Sequence, residues 1–127
     1  MAGDIQSYRD LKVWQAAMSV AEIVYAFTKT YPQSELYGLT SQARRAAVSI
    51  AANIAEGHGR ETSGSYIQSL RIAQGSLKEL ETHLILAQRV GVAASEGVDA
   101  TLKHCDDLGR MLRALIRAVQ KKVAADE

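Results

Sequence analysis

The chain has 127 residues, of which 47% are hydrophobic and only 6% aromatic, with one proline and one cysteine. Its 15 Lys and Arg against 14 Asp and Glu leave a formal charge of +1, which excludes the global electrostatic signature of a nucleic-acid-binding protein but not a local basic patch. The lone Cys105 excludes an internal disulfide and fits a reducing compartment, and the length suits one domain around one core.

Residues up to about Ser7 read as a frayed end, without the basic-then-apolar order of a secretion signal. Ser7 or Asp10 can cap a first helix over about residues 10–29. Leu11, Trp14, Met18, Ala21 and Tyr25 form one apolar row of it; Val13, Ala17, Val20, Val24 and Phe27 form another. Trp14 is expected to be a core anchor. Pro32 then disfavours helix at Tyr31 and turns the chain.

The second helix, over about residues 39–57, is the stretch around which the rest is organised. Leu39, Ala43, Ala46, Ile50 and Ile54 share one face at spacings of three and four. Ala47, Val48, Ala51 and Ala55 form a second apolar row. Gln42, Arg45, Ser49, Asn53 and Glu56 leave only a narrow polar strip. A surface helix normally carries one apolar stripe, so two predict neighbours on both sides, including a second subunit. Arg44 falls in the apolar row, where it must snorkel to solvent or meet a carboxylate. Arg44 and Arg45 are expected to be structural, joining helices or subunits through Glu56 or Glu79. The helix should stop at Gly57-His58-Gly59, where glycine accepts a left-handed conformation. Arg60 to Ser65 then form a loop.

A third helix is expected over about residues 65–90, with Tyr66, Leu70, Ala73, Leu77, Leu80, Leu84 and Ala87 at the alternating steps of a bundle seam. Gly91 ends it. Ser95 caps a fourth helix over about residues 95–123, which turns Val98, Leu102, Cys105, Leu112, Ile116, Val119 and Val123 inward. The tail beyond should be disordered. Short links between long amphipathic helices predict an all-α, up-down-up-down antiparallel four-helix bundle in one domain. The longest apolar run, Ala46 to Ala55, is too short to span a bilayer and holds Ser49 and Asn53, so a soluble cytoplasmic protein is expected.

Catalytic patterns are absent. A di-metal bundle needs Glu-x-x-His pairs, and the chain has none; Glu79 and His83 are a single pair four apart. Gly57-His58-Gly59-Arg60 lacks the preceding strand and the Lys-Ser/Thr pair of a phosphate loop. Cys105 and His104 are adjacent in a helix and point apart. No cofactor or metal site is expected. On the fourth helix Lys103, Arg110, Arg117 and Lys121 form an outer stripe with Arg113 beside it, and Asp106 can pair with Arg110. These cations, with Arg60 as a loop contributor, are the candidate phosphate contacts.

Leu11-Lys12-Val13-Trp14-Gln15, the whole run from Tyr37 to Gly57, and Ala73-Gln74-Gly75-Ser76-Leu77-Lys78-Glu79-Leu80-Glu81-Thr82 together resemble the 23S rRNA intervening-sequence proteins, a bacterial family of four-helix bundles. The resemblance covers about residues 7–120. That family is similar in fold to the accessory variability protein of diversity-generating retroelements, whose pentameric barrels carry a basic surface and bind a reverse transcriptase and nucleic acid. The resemblance implies a homo-oligomeric ring, a pentamer, associated with nucleic acid. It carries over no catalytic residue, and it does not support the fourth-helix stripe. The expected function is therefore non-enzymatic: a self-assembling bundle that binds RNA or a ribonucleoprotein, or alternatively a protein-interaction scaffold without nucleic-acid contact.

Overall fold

The computed structural model describes residues 5–126; the first part of the expected frayed end and Glu127 lie outside them. Four helices follow the apolar periodicity: α1 (Lys12–Thr28), α2 (Ser41–His58), α3 (Ser63–Arg89) and α4 (Ser95–Asp126). No strand occurs among the described residues. Each helix packs on its neighbour in sequence, and α4 returns to α1, so the four enclose one core as a four-helix bundle. No described helix is long and apolar enough to cross a membrane.

The core is built from the rows expected. Ile50 and Ile54 of α2, Leu70, Leu80 and Leu84 of α3, and Leu112 of α4 are all 0% exposed. Of the two α1 rows, Val13, Ala17, Val20 and Val24 are the buried one. Trp14 departs from its expected role: it is half-buried, edge-on to Tyr8 at 5.2 Å, at the rim of a surface groove.

The helix ends differ from expectation for identifiable reasons. Ser7 and Asp10 form a reciprocal capping box, but around a separate 3-10 turn (Tyr8–Asp10); extended Leu11 then breaks the chain before α1. A single π-type turn (Leu36–Thr40), pinned by the Glu35 carboxylate accepting from Leu39 N at 3.1 Å, leads into α2. Thr62 caps α3, which begins two residues earlier than expected. Ser95 is the first residue of α4, not its cap, and its hydroxyl accepts from Gln88 Nε2 at 3.0 Å. The tail expected to be disordered continues α4 to Asp126.

Two glycines stop or join helices in different ways. Gly91, at φ 79°, is the only described residue in the left-handed region and ends α3. Gly57 and Gly59 do not adopt that conformation. Gly57 instead lets α2 and α3 touch: a Cβ there would lie 2.7 Å from Ser69 Cβ and 3.0 Å from Tyr66 Cδ1. Further along the same contact Ser49 and Ser76 share a hydrogen bond of 2.8 Å, and Asn53 Nδ2 donates to Ser49 O at 2.8 Å. Ser49 therefore faces α3, and Ser49 and Asn53 are both half-buried. Close approach needs small residues, and their hydroxyls satisfy each other where water is thin.

Candidate functional site

The bundle presents two unlike surfaces. The first is an apolar groove of about 450 Å³ between α1 and α2, bordered by Trp14, Met18, Tyr25, Val48, Ala51 and Ala55. It forms because the second apolar rows of both helices meet here with nothing above them. Within the single chain these rows are only partly open. Ala47 is 0% and Ala51 5% exposed, whereas Val48 is 47%, Tyr25 44% and Met18 37% exposed. The alanines expected to sit at a subunit boundary thus lie mostly in the floor, and the larger side chains form the open rim.

Arg44 crosses one end of this region. Its Nε donates to Thr28 Oγ1 at 2.9 Å, and its guanidinium lies 4.6 Å from the centre of the Tyr25 ring. It therefore ties α2 to α1 through a hydroxyl and an aromatic face. The expected partnership of Arg44 or Arg45 with Glu56 or Glu79 does not form among the described residues. Arg45 and Glu56 are exposed, and Glu79 instead meets His83 Nε2 at 3.4 Å, one turn along its own helix. Helix-local pairing wins because side chains four apart meet without a long reach.

The second surface is cationic. Lys103, Arg110, Arg113, Arg117 and Lys121 are all exposed on α4. Lys103 to Lys121 spans about 27 Å of helix rise. Arg110 pairs with Asp107, three residues away, not with Asp106. Both partners are well solvated, so the pair adds little stability. Arg60 sits in the α2–α3 turn, where its Nε donates to Ser69 Oγ at 3.1 Å. It borders neither groove.

Sequence reasoning missed what α3 adds to this surface. Arg71 and Lys78 lie across from α4, and the depression between the helices holds Gly75 and Gly109. One part of it, about 360 Å³, is bordered by Arg71, Lys78 and Arg113; the adjoining part, about 240 Å³, is bordered by Arg71, Arg113 and Arg117. The signal was present: Arg71, Gly75 and Lys78 recur at steps of four and three beside the seam residues.

The lone thiol opens onto neither surface. Cys105 is 0% exposed. Burial, with Glu81 and Asp106 nearby, pushes its thiol up to about 12. The thiol is therefore neutral at physiological pH, and thiolate is the reactive form. At pH 8 the native protein should take up no iodoacetamide by mass spectrometry, and should take up one equivalent once denatured. Because the folded state holds this proton more tightly, the contribution to stability is complete below the ordinary thiol range and falls as pH rises toward 12. Among the described residues, no three His, Cys, Asp or Glu side chains come together as a metal-binding group.

The fold is an all-helical bundle with an apolar groove on one helix pair and a cationic trough on the other. The chain matches the family model for 23S rRNA-intervening sequence protein over residues 9–114. It belongs to that family. Among solved structures it is similar to a protein of unknown function from the S23 ribosomal protein family of Bacteroides thetaiotaomicron, at 22% identity and a TM-score of 0.73. That match covers 82% of this chain and 97% of the other, and at this identity it speaks for the fold alone. No curated protein matches the chain in sequence.

Proposed function

We propose that this chain is a non-enzymatic binding protein of the cytoplasm, an antiparallel up-down-up-down bundle that assembles with itself into a ring and associates with RNA. The observation that carries the reading is the division of its surface. The uncovered apolar groove lies on α1/α2, whereas Arg71, Arg113 and Arg117 lie on α3/α4 with no carboxylate in ion-pair contact among the described residues. Copies can be joined through one helix pair while the other stays open to a polyanion. The family name, which ties relatives to 23S rRNA, supports RNA as that polyanion. The short connections between helices support the antiparallel arrangement.

Other exposed apolar side chains, Ile72 and Leu86 of α3 and Val90 at its end, do not lie beside the groove. A groove filled from a different surface of the next copy gives a heterologous contact, which closes into a ring when its rotation allows. Five subunits is the count that the likeness to accessory variability proteins implies. A ring repeats the modest charge of each chain into a larger patch.

The test is a solution mass by light scattering together with RNA affinity across a salt series. The reading expects a mass several times that of one chain. It also expects a log-affinity slope against log salt of about −3 or steeper, since each neutralised phosphate contributes roughly 0.7–0.9. A single-chain mass, or affinity indifferent to salt, contradicts it. An assembled protein that binds no RNA at low salt is a protein-interaction scaffold instead.

A further inference from the structure

The two parts of the α3/α4 depression share Arg71, Gln74 and Arg113, so they form one continuous trough. We infer that this trough seats the phosphate backbone of double-stranded RNA, with Arg71, Arg113 and Arg117 as its anchors. The inference rests on the proposed RNA association and adds the site and the form of the nucleic acid.

The charge distribution is the first argument. The chain has almost as many carboxylates as cations, yet no Asp or Glu lines the trough. Nearby carboxylates are paired elsewhere or with Lys78 alone: Glu79 meets His83 at 3.4 Å, Glu81 meets Lys78 at 3.2 Å, and Asp107 pairs with Arg110. Three guanidinium groups from two helices are left bordering one depression. Like charges so placed repel one another, and a bound anion relieves that repulsion. Arginine also presents paired donors that match phosphate oxygens.

The second argument is shape. Gly75 leaves its side of the trough empty, with nothing within 4 Å of where a Cβ would stand. On the facing helix, a Cβ on Gly109 would lie 3.5 Å from Arg113 Nη1, so the Arg113 side chain lies back over that glycine. Leu77 and Ile116, 1% and 4% exposed, close the floor. A strand of phosphates can lie along the Gly75 side because no side chain projects from it.

The third argument selects the duplex. Single-stranded RNA is held chiefly where its unpaired bases stack on aromatic rings, with arginine planes as a lesser platform. No Phe, Trp or Tyr follows Tyr66 in the sequence, so α4 and all of α3 beyond its first turn lack one. The trough offers guanidinium groups and the Gln74 and Gln120 amides, which serve phosphates and 2′-hydroxyls along a helix whose bases are already stacked.

The experiment compares wild type, Arg71→Gln and Gly75→Leu in the intact assembled protein. Probes are an RNA duplex of about 16 base pairs and one of its strands alone. The duplex should bind more tightly than the strand. Arg71→Gln should weaken duplex binding ~10-fold and make the salt slope shallower by about 1, as loss of one phosphate contact requires. Gly75→Leu removes no charge; it should weaken binding by blocking the trough while circular dichroism and mass stay unchanged. Both positions are exposed, so both variants should fold. Preference for the single strand overturns the inference. So does wild-type duplex affinity in both variants, which would leave RNA association intact but place it elsewhere. Equal competition by poly-glutamate overturns it in favour of an acidic protein segment. Failure of wild type to bind either RNA at low salt ends the underlying reading as well.

Discussion

Glutamate at both Met18 and Val48 should convert the proposed assembly into folded single chains. These two side chains stand at the rim of the α1/α2 groove, 37% and 47% exposed, and neither belongs to the buried core of one subunit. Covering the groove with another copy would place two carboxylates in an apolar contact without partners. That costs several kcal/mol per group, comparable to the whole free energy of many interfaces. Sedimentation or light scattering should therefore report a single-chain mass, with helical content unchanged. Ala51 is unsuited to the same test: at 5% exposure it belongs to the subunit's own packing, and a polar residue there would weaken the fold as well. An unchanged mass would mean that copies meet elsewhere, with the exposed Ile72 and Leu86 of α3 and Val90 at its end the next surface to alter.

Valine at Gly57 should lower the free energy of unfolding by roughly 3 kcal/mol, near the upper end for overpacking a closed contact. The first added carbon already falls 2.7 Å from Ser69 Cβ and 3.4 Å from the Tyr66 carbonyl oxygen. Neither atom can swing aside, because one is bonded directly to the α3 backbone and the other is part of it. The branched side chain would push α2 and α3 apart along their most extensive contact, straining the Ser49–Ser76 hydrogen bond. Urea denaturation should show the loss as a lower midpoint at an unchanged slope. A stability equal to wild type would mean that the helices can separate freely there, and that Gly57 has no packing role.

Both variants act at places where one side of a pattern could be read in advance and the other could not. The two apolar rows of α1 and α2 follow from spacing alone, and so does the seam of α3 from Leu70 to Ala87. Which row faces the core does not, because periodicity shows that a helix has two greasy faces without saying what each meets. Val48 and Ala47 are neighbours in one expected row, yet one is 47% and the other 0% exposed. Arg44 was legible as a cation in need of a partner. Its hydroxyl and aromatic partners, Thr28 and Tyr25, come from another helix and only the packed bundle supplies them. The expected stop at Gly57-His58-Gly59 holds, but without a left-handed glycine: glycine serves either a left-handed end or a close approach, and only the position of α3 decides that Gly57 does the second.

By itself the sequence determined the four helices, their apolar rows, the stop at Gly91, the basic stripe of α4 and the family to which the chain belongs. These depend on local propensity and on periods of three and four, which are carried by neighbours in the chain. Tertiary structure alone decided that Arg71 of α3 joins Arg113 and Arg117 of α4 beside a trough open at Gly75, and that no other helix of the chain covers the α1/α2 groove. Those features are relations between faces of different helices. They exist only once burial of the core rows has set how each helix is rotated against the next.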